Sequence, residues 1–324
     1  MKRQFQLLAL VSLFFMLCAV SFVPLAGAED AFPSKPITWI VPMSPGGGFD
    51  VYSRGVSKFM EKYLGQPFVI KNVPGAGNRT GTNAIYRARP DGYTIGIINM
   101  PGMVASQMLM KTQFDLDKFT WLGGVADEKY VLATGSKLPF RTLKDLQASK
   151  TPLNIGSTGR GSTSNAVTVI GSKMMNIPFN FVSGYAGSTE TVVATIRGDC
   201  ALVNFITTSI YSYIESGDLR PILQYSKKRH PLYPDTPTVV ELGFPKLGVL
   251  SLPRLIAAPP KIPQDRAAML ESALIKALKD PELIAWAQKS KRDIDVISGA
   301  EAAELVRENV SLYKQYEEVL KAYY

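Results

Sequence analysis

Three short glycine-bearing stretches, each placed where a helix should begin, set the limits on this fold. They are Pro45-Gly46-Gly47-Gly48-Phe49-Asp50, Gly156-Ser157-Thr158-Gly159-Arg160-Gly161-Ser162 and Tyr185-Ala186-Gly187-Ser188-Thr189. The first two directly follow an apolar, strand-like run, and a helix-like pattern follows all three. A helix start presents unpaired backbone N–H groups and the positive end of the helix dipole. Several such starts converging on one point would form a site for an anion, typically a carboxylate or phosphate. No other feature of the chain carries comparable chemistry, so the pattern points to anion binding before catalysis.

The same alternation runs along the chain. Residues 37–43 read as a buried strand, and residues 51–64 as a helix with Val51, Val56, Phe59, Met60 and Tyr63 on one side, ended by Gly65. Residues 68–72 and 93–98 read as strands around a helix over 81–88. Asn99-Met100-Pro101-Gly102 reads as the loop that follows. The pattern restarts with strands at 130–134, 153–157 and 179–182, and helices at 143–148, 163–175 and 188–196. Segments 201–205, 210–215 and 220–225 continue it. This predicts an α/β architecture with a largely parallel sheet, the second series forming a second lobe. The last third reads as helical: Pro263 opens a helix to about Leu278, and Ser298 with Glu301 has capping-box spacing. A long apolar stripe from Ala302 to Leu320 predicts that the chain returns to pack on the first lobe.

Composition removes several classes of function. Lys2 and Arg3, the apolar residues 7–23 and Ala26-Gly27-Ala28 have the layout of a secretory signal peptide, with cleavage expected before Glu29. Losing residues 1–28 lowers the formal net charge from +9 to +7. The excess is thinly spread, with Lys227-Lys228-Arg229 the one tight cluster, and a nucleic-acid partner would want a basic stripe with aromatic platforms. Cys200 then stands alone, so no intramolecular disulfide is expected. His230 is the single histidine, which removes most histidine-based metal sites. It lies in a charged, proline-rich stretch and is expected to be exposed. No cofactor is expected, and the protein is expected to act as a monomer.

These residues resemble a known family. Pro33-Ser34-Lys35-Pro36-Ile37, Val41-Pro42 and the Gly46-Gly47-Gly48 turn are similar to the opening of the extracytoplasmic solute receptors of tripartite tricarboxylate transporters, also called Bug-type periplasmic binding proteins. Leu64-Gly65-Gln66-Pro67, Asn72-Val73-Pro74-Gly75-Ala76-Gly77, Pro90-Asp91-Gly92-Tyr93-Thr94, Gly156-Ser157, Tyr185 with Gly187, and Pro234-Asp235-Thr236-Pro237-Thr238 follow in order. The resemblance implies a two-lobed periplasmic binding protein of type II-like fold with its ligand cleft between the lobes. It implies delivery of a small organic mono- or dicarboxylate to a membrane permease. The first lobe would comprise residues 29–125 plus 250–324, and the second residues 126–249. The chain departs from the family pattern at Phe49, Asn78, Arg160, Asn165 and Ala201, which bears on the ligand more than on the fold.

On this reading the candidate contacts fall into groups. Gly46, Gly47 and Gly48 let backbone approach a ligand, or merely form a tight turn. Ser157, Thr158, Gly161 and Ser162 offer hydroxyl and N–H donors, or cap the helix that begins near Thr163. Asn165 stands where a histidine is common in the family. Tyr185 and Gly187 belong to the third helix start, and Tyr185 either faces the cleft or packs between strand and helix. Arg160 can grip a carboxylate with two parallel hydrogen bonds, which would make the ligand a dicarboxylate, or it is a solvated loop arginine. Phe49 and Phe205 could wall a pocket or belong to the core. Asn78, Thr80 and Asn99 are loop residues at the edge of the first lobe. Asp50 would repel an anion and is expected to cap or brace its helix start from the side. Two other classes stay open: a receptor that reports to a sensor, and an exported carboxylate-processing enzyme. The enzyme would need a nucleophile with an activating base, and the chain has no Gly-x-Ser-x-Gly elbow.

Overall fold

A computed structural model of the protein describes residues 31–157, 163–185 and 187–323. Lys35–Tyr324 forms one compact unit. The first segment alternates as its hydrophobic pattern requires. Strand β1 (Ile37–Val41) leads through the glycine turn to helix α1 (Gly48–Leu64), then β2 (Phe68–Asn72), α2 (Arg79–Tyr86), β3 (Thr94–Asn99) and α3 (Met100–Leu109). Helix α1 stops at Gly65, which takes the left-handed conformation and donates its N–H to Glu61 O. Strand β4 (Thr120–Gly135) follows, then α4 (Leu143–Gln147), β5 (Leu153–Ser157), α5 (Thr163–Met174), β6 (Phe179–Ser183), α6 (Ser188–Arg197), β7 (Leu202–Ile206), α7 (Thr207–Glu215) and β8 (Leu219–Tyr225). The chain closes with β9 (Ser251–Ala258), α8 (Gln264–Leu278), α9 (Pro281–Lys289), α10 (Gly299–Gln315) and α11 (Glu317–Lys321).

The strands run in the order β2-β1-β3-β9-β4-β7-β5-β6, with β8 also paired to β4. β1 pairs in parallel with β2 and β3, and β5 with β6 and β7. The sheet is nonetheless mixed rather than largely parallel, because β4, β8 and β9 pair antiparallel with their neighbours. The two parallel groups are joined through β9 and β4. The first half of β4 pairs with β9 at Thr120–Lys129, and its second half pairs with β7 and β8 from Tyr130 onward.

Several elements differ from the sequence expectation for physical reasons. The first residues of α3, Met100 to Gly102, were expected as a loop, but Pro101 sits in the first turn of the helix, where a missing N–H does no harm. The expected 130–134 strand extends back to Thr120 across two glycines and three charged residues that hide its pattern. β9 lies in the stretch read as helical; Pro253 and Arg254 interrupt its apolar run, yet all eight of its residues are buried. The returning chain packs as expected on the first strand group: β9 lies between β3 and β4, α8 lies along α1, and α10 lies against β4 and α3. Its last turns reach further, with α11 against α5 and Tyr323 stacked on Phe179 of β6. Among the described residues no helix is long and apolar enough to cross a membrane.

The irregular start of β4 depends on Gly123. Its φ is +136°, and a Cβ there would lie 2.4 Å from Ile297 O. Ile297 O also accepts the Gly124 N–H at 3.0 Å, tying the C-terminal segment to β4. Gly123→Ala is expected to lower unfolding stability by at least about 2 kcal/mol, because both backbone conformation and space oppose a side chain. Chemical denaturation of the two proteins measures this; equal midpoints and slopes would show that the strand relaxes freely.

Candidate functional site

The glycine turn after β1 is held from one side by Asp50. This buried carboxylate accepts the Gly46 N–H (2.9 Å), Arg54 Nε (2.9 Å) and Asn72 Nδ2 (2.9 Å). Burial pushes the Asp50 pKa up, but the hydrogen bonds from Arg54, Gly46 and Asn72 outweigh it and hold the carboxyl below its usual value. Asp50 therefore reaches back to the turn rather than to the amides of α1, and α1 has no side-chain cap. The three glycines do different work. Gly46 takes φ +85°, which favours glycine. A Cβ on Gly48 would lie 2.9 Å from Arg254 Nη2, whereas one on Gly47 would meet only Ser44 O at 3.8 Å. Gly46 and Gly47 thus face open space, and only Gly48 is crowded by Arg254.

Other helix starts are also bare. α2, α3, α6 and α7, entered through Asn78, Asn99, Gly187 and Ile206, have no side-chain cap. Helices α4, α9 and α10 are capped by Thr142, Asp280 and Ser298. The expected capping box of Ser298 with Glu301 is among them. Uncapped starts occur elsewhere too, as at α8, so convergence has to distinguish a site.

A set of polar contacts supplies it. Asn99 Nδ2 donates to Thr163 Oγ1 at 3.2 Å, joining the start of α3 to the start of α5. These starts approach closely: a Cβ on Gly102 would lie 2.9 Å from Thr163 Oγ1. Asn99 stands opposite Arg254 in the β3–β9 pairing, so both side chains lie on the same sheet face. The Arg254 guanidinium lies 4.2 Å from the centroid of the Phe49 ring and 4.8 Å from that of Tyr52. Its Nε donates to Glu128 Oε2 at 2.6 Å, and its Nη2 donates to the same oxygen. Glu128 Oε1 accepts Thr208 Oγ1–H at 2.6 Å, at the start of α7. Starts of α1, α3, α5 and α7 are thereby brought together. Burial and the Glu128 charge push the Tyr52 phenol far up, so it stays a neutral donor, and its hydroxyl donates to Asp293 O at 2.8 Å.

The sequence-derived candidates distribute unevenly around this set. Gly48, Phe49 and Asn99 belong to it. Phe49 is turned inward beneath Arg254. Ser157 is buried and donates to Asn165 Oδ1 at 2.7 Å, so these two candidates bond each other. Phe205 packs in a core cluster with Val131, Val203 and Ile210. The Tyr185 hydroxyl lies 3.4 Å from Cys200 Sγ, a contact that with burial raises its pKa to about 12. Gly187 precedes α6, and Asn78 and an exposed Thr80 lie at the start of α2. Thr158, Arg160, Gly161 and Ser162 lie outside the described residues. His230 is not exposed as expected: only 14% of its side chain is accessible, and Nε2 lies 3.3 Å from Asp293 Oδ2. Its loop folds back because Ser226 Oγ–H donates to Lys228 O and the His230 N–H donates to Gln224 Oε1. Sequence reading missed Arg254, Glu128 and Thr208. The available signal was a lone cation inside the apolar run from Leu250 to Ala258.

An α/β solute-binding receptor of the two-lobed periplasmic kind is the class that this fold defines. The model for "Tripartite tricarboxylate transporter family receptor" matches residues 52–320, and the chain belongs to that family. It is 30% identical over 263 residues to the UPF0065 protein in the tcbD-tcbE intergenic region of a Pseudomonas species, covering 79% of this chain and 77% of that protein. Protein BugT of Bordetella pertussis is 29% identical over 248 residues, or 74% of this chain and 75% of BugT. Among solved structures, MatC from Rhodopseudomonas palustris with bound malate superposes with a TM-score of 0.70 at 24% identity. The match covers 89% of this chain and all of MatC, and bears on the fold alone.

Asp50→Asn is expected to destabilise the protein by about 2 kcal/mol near neutral pH, since it weakens hydrogen bonds made to a charged acceptor. A depressed native pKa means that the unfolded chain binds more protons as pH falls. The stabilisation is therefore full above about pH 4 and lost as pH drops through the native value. Denaturation midpoints of parent and variant should converge in acid; a constant gap would remove the carboxylate's charge from the explanation.

Proposed function

We propose that this receptor binds a small organic mono- or dicarboxylate between two lobes, residues 29–125 plus 250–324 and residues 126–249. On this reading the protein is exported after cleavage before Glu29, and it delivers its ligand to a membrane permease of the tripartite tricarboxylate type. The observation that carries the reading is the meeting of the uncapped starts of α1 and α3 beside Arg254 and Asn99, with Thr163 of α5 bonded to Asn99. Bare amides at the positive end of a helix dipole bind a carboxylate without any metal or cofactor. The malate bound by MatC, which shares the fold, is of that chemical kind. The strand pairing supports such a division, since β4 and β9 are the strands that join the two parallel groups. The ligand bridges the lobes, and its contacts with both favour the closed arrangement.

Thermal denaturation of residues 29–324 with malate, succinate, adipate, acetate and benzoate tests the reading. A carboxylate at 100 times its dissociation constant adds about 2.7 kcal/mol of stability. One or more carboxylates should raise the melting temperature while the matching primary amides do not. No shift with any carboxylate, or equal shifts with the amides, would sink it. For Arg160 we expect Arg160→Ala to weaken a bound dicarboxylate at least tenfold more than its monocarboxylate analogue, measured by calorimetry. Equal weakening would place Arg160 outside the site.

A further inference from the structure

We infer that Arg254 is a ligand-gripping, specificity-determining residue of this receptor: its Nη1 group, beside the bare start of α1, receives one carboxylate of the ligand. The inference rests on the carboxylate-binding reading and assigns it a side chain. Arg254 is only 2% exposed, and its Nη1 is buried with no hydrogen-bond partner. A guanidinium N–H pair left unpaired in the interior is costly, so it calls for an acceptor. Every other part of the group is engaged. Glu128 Oε2 takes Nε and Nη2, and the guanidinium lies over the Phe49 and Tyr52 rings. Nη1 and Nη2 lie 3.4 Å and 2.9 Å from the Cβ position of Gly48, the first residue of a 17-residue helix with no side-chain cap. An unused donor and a helix start therefore face the same place.

The geometry also limits what is gripped. Glu128 occupies the Nε–Nη2 edge, so a ligand cannot take the side-on fork there. It meets Nη1 and then the backbone amides of α1, an arrangement suited to a carboxylate with one oxygen for each. The formal charges of Arg254 and Glu128 cancel, so attraction for an anion comes mainly from the helix start, while Arg254 sets direction. Residues 44–47 are exposed and include Gly46 and Gly47, so this turn is the segment able to yield as an oxygen enters.

The test compares acid with amide in two proteins. Calorimetry is run on residues 29–324 with malate, succinate and adipate, and with the monoamides of each acid that binds. The unaltered protein should prefer the acid to one of its monoamides by at least 30-fold. The double variant Arg254→Gln, Glu128→Gln keeps the buried pair neutral and able to hydrogen-bond, and its folding is checked by its melting curve. It should bind that acid at least 100-fold more weakly, and its preference for acid over that monoamide should fall at least tenfold. A purely structural role would weaken acid and amide alike; a preserved preference overturns the inference even while the carboxylate reading stands. If the double variant does not fold, Arg254→Lys carries the same comparison, because an ammonium on a shorter stem cannot reproduce the Nη1 contact. No binding of these three acids, nor of acetate or benzoate, by the unaltered protein overturns both readings together.

Discussion

The buried pair of Arg254 and Glu128 is the interaction on which the arrangement around it depends. Taking both charges out of water costs several kcal/mol per ion unless geometry and further hydrogen bonds compensate. Here Glu128 is fully buried, with Oε2 on the guanidinium and Oε1 accepting from Thr208. The guanidinium is flanked by two aromatic rings. Those partners come from β4, β9, α1 and α7, which are far apart in sequence. The pair fixes how α1 approaches the sheet, and it explains why position 48 has no side chain. An unpaired partner would leave a bare charge in the interior, so the pair ties the four elements together at this point.

Around that pair, acids and bases are kept apart by function. Asp50 sits next to the start of α1, where an anionic ligand would be repelled, yet three donors absorb its charge and direct it at the glycine turn. Its position leaves the first-turn amides of α1 without a side-chain partner. Helices α4, α9 and α10 are instead stopped by their own Thr, Asp or Ser residues. A polar side chain at a helix start ordinarily satisfies the dipole within the chain. Where glycine or isoleucine stands there, or an asparagine side chain is turned away, and the starts converge, the amides are left open to water or a ligand.

Much of this was legible in the sequence because short-range physics wrote it. The β1–α1 unit, the stop at Gly65 and the Ser298–Glu301 box each rest on residues a few positions apart. The glycine turn was readable as a turn, and Asp50 as a cap or brace of the helix start; its hold on the Gly46 N–H was not readable. The mixed character of the sheet was not readable, since β9 carries Pro253 and Arg254 inside an apolar run and pairs with partners more than a hundred residues away. The same long separation hid the site's charged center: nothing near Arg254 in sequence announces Glu128, Phe49 or Gly48. Ser157, Asn165 and Phe205 were chosen by type and local pattern, but their contacts were settled by packing, which turned the first two toward each other and the third into a core cluster.

Strand β4 connects these observations. It pairs with β7 of one parallel group and is linked to the other through β9, and its pairing with β9 shifts register twice, between Trp121 and Gly123 and between Gly124 and Ala126. Shifts of this kind bend a strand and loosen its ladder. Any relative movement of the two groups must be absorbed by the backbone of β4 and β9, and β4 is least regular there. Glu128 follows two residues after the second shift, and Arg254 is paired across from Ala126. A bend in this stretch therefore changes the distance between the guanidinium and the start of α7 before it changes the interior of either group. The charged pair and the register shifts occupy the same few residues, so an acceptor seated on Arg254 would act directly on the geometry that sets how the two groups face each other.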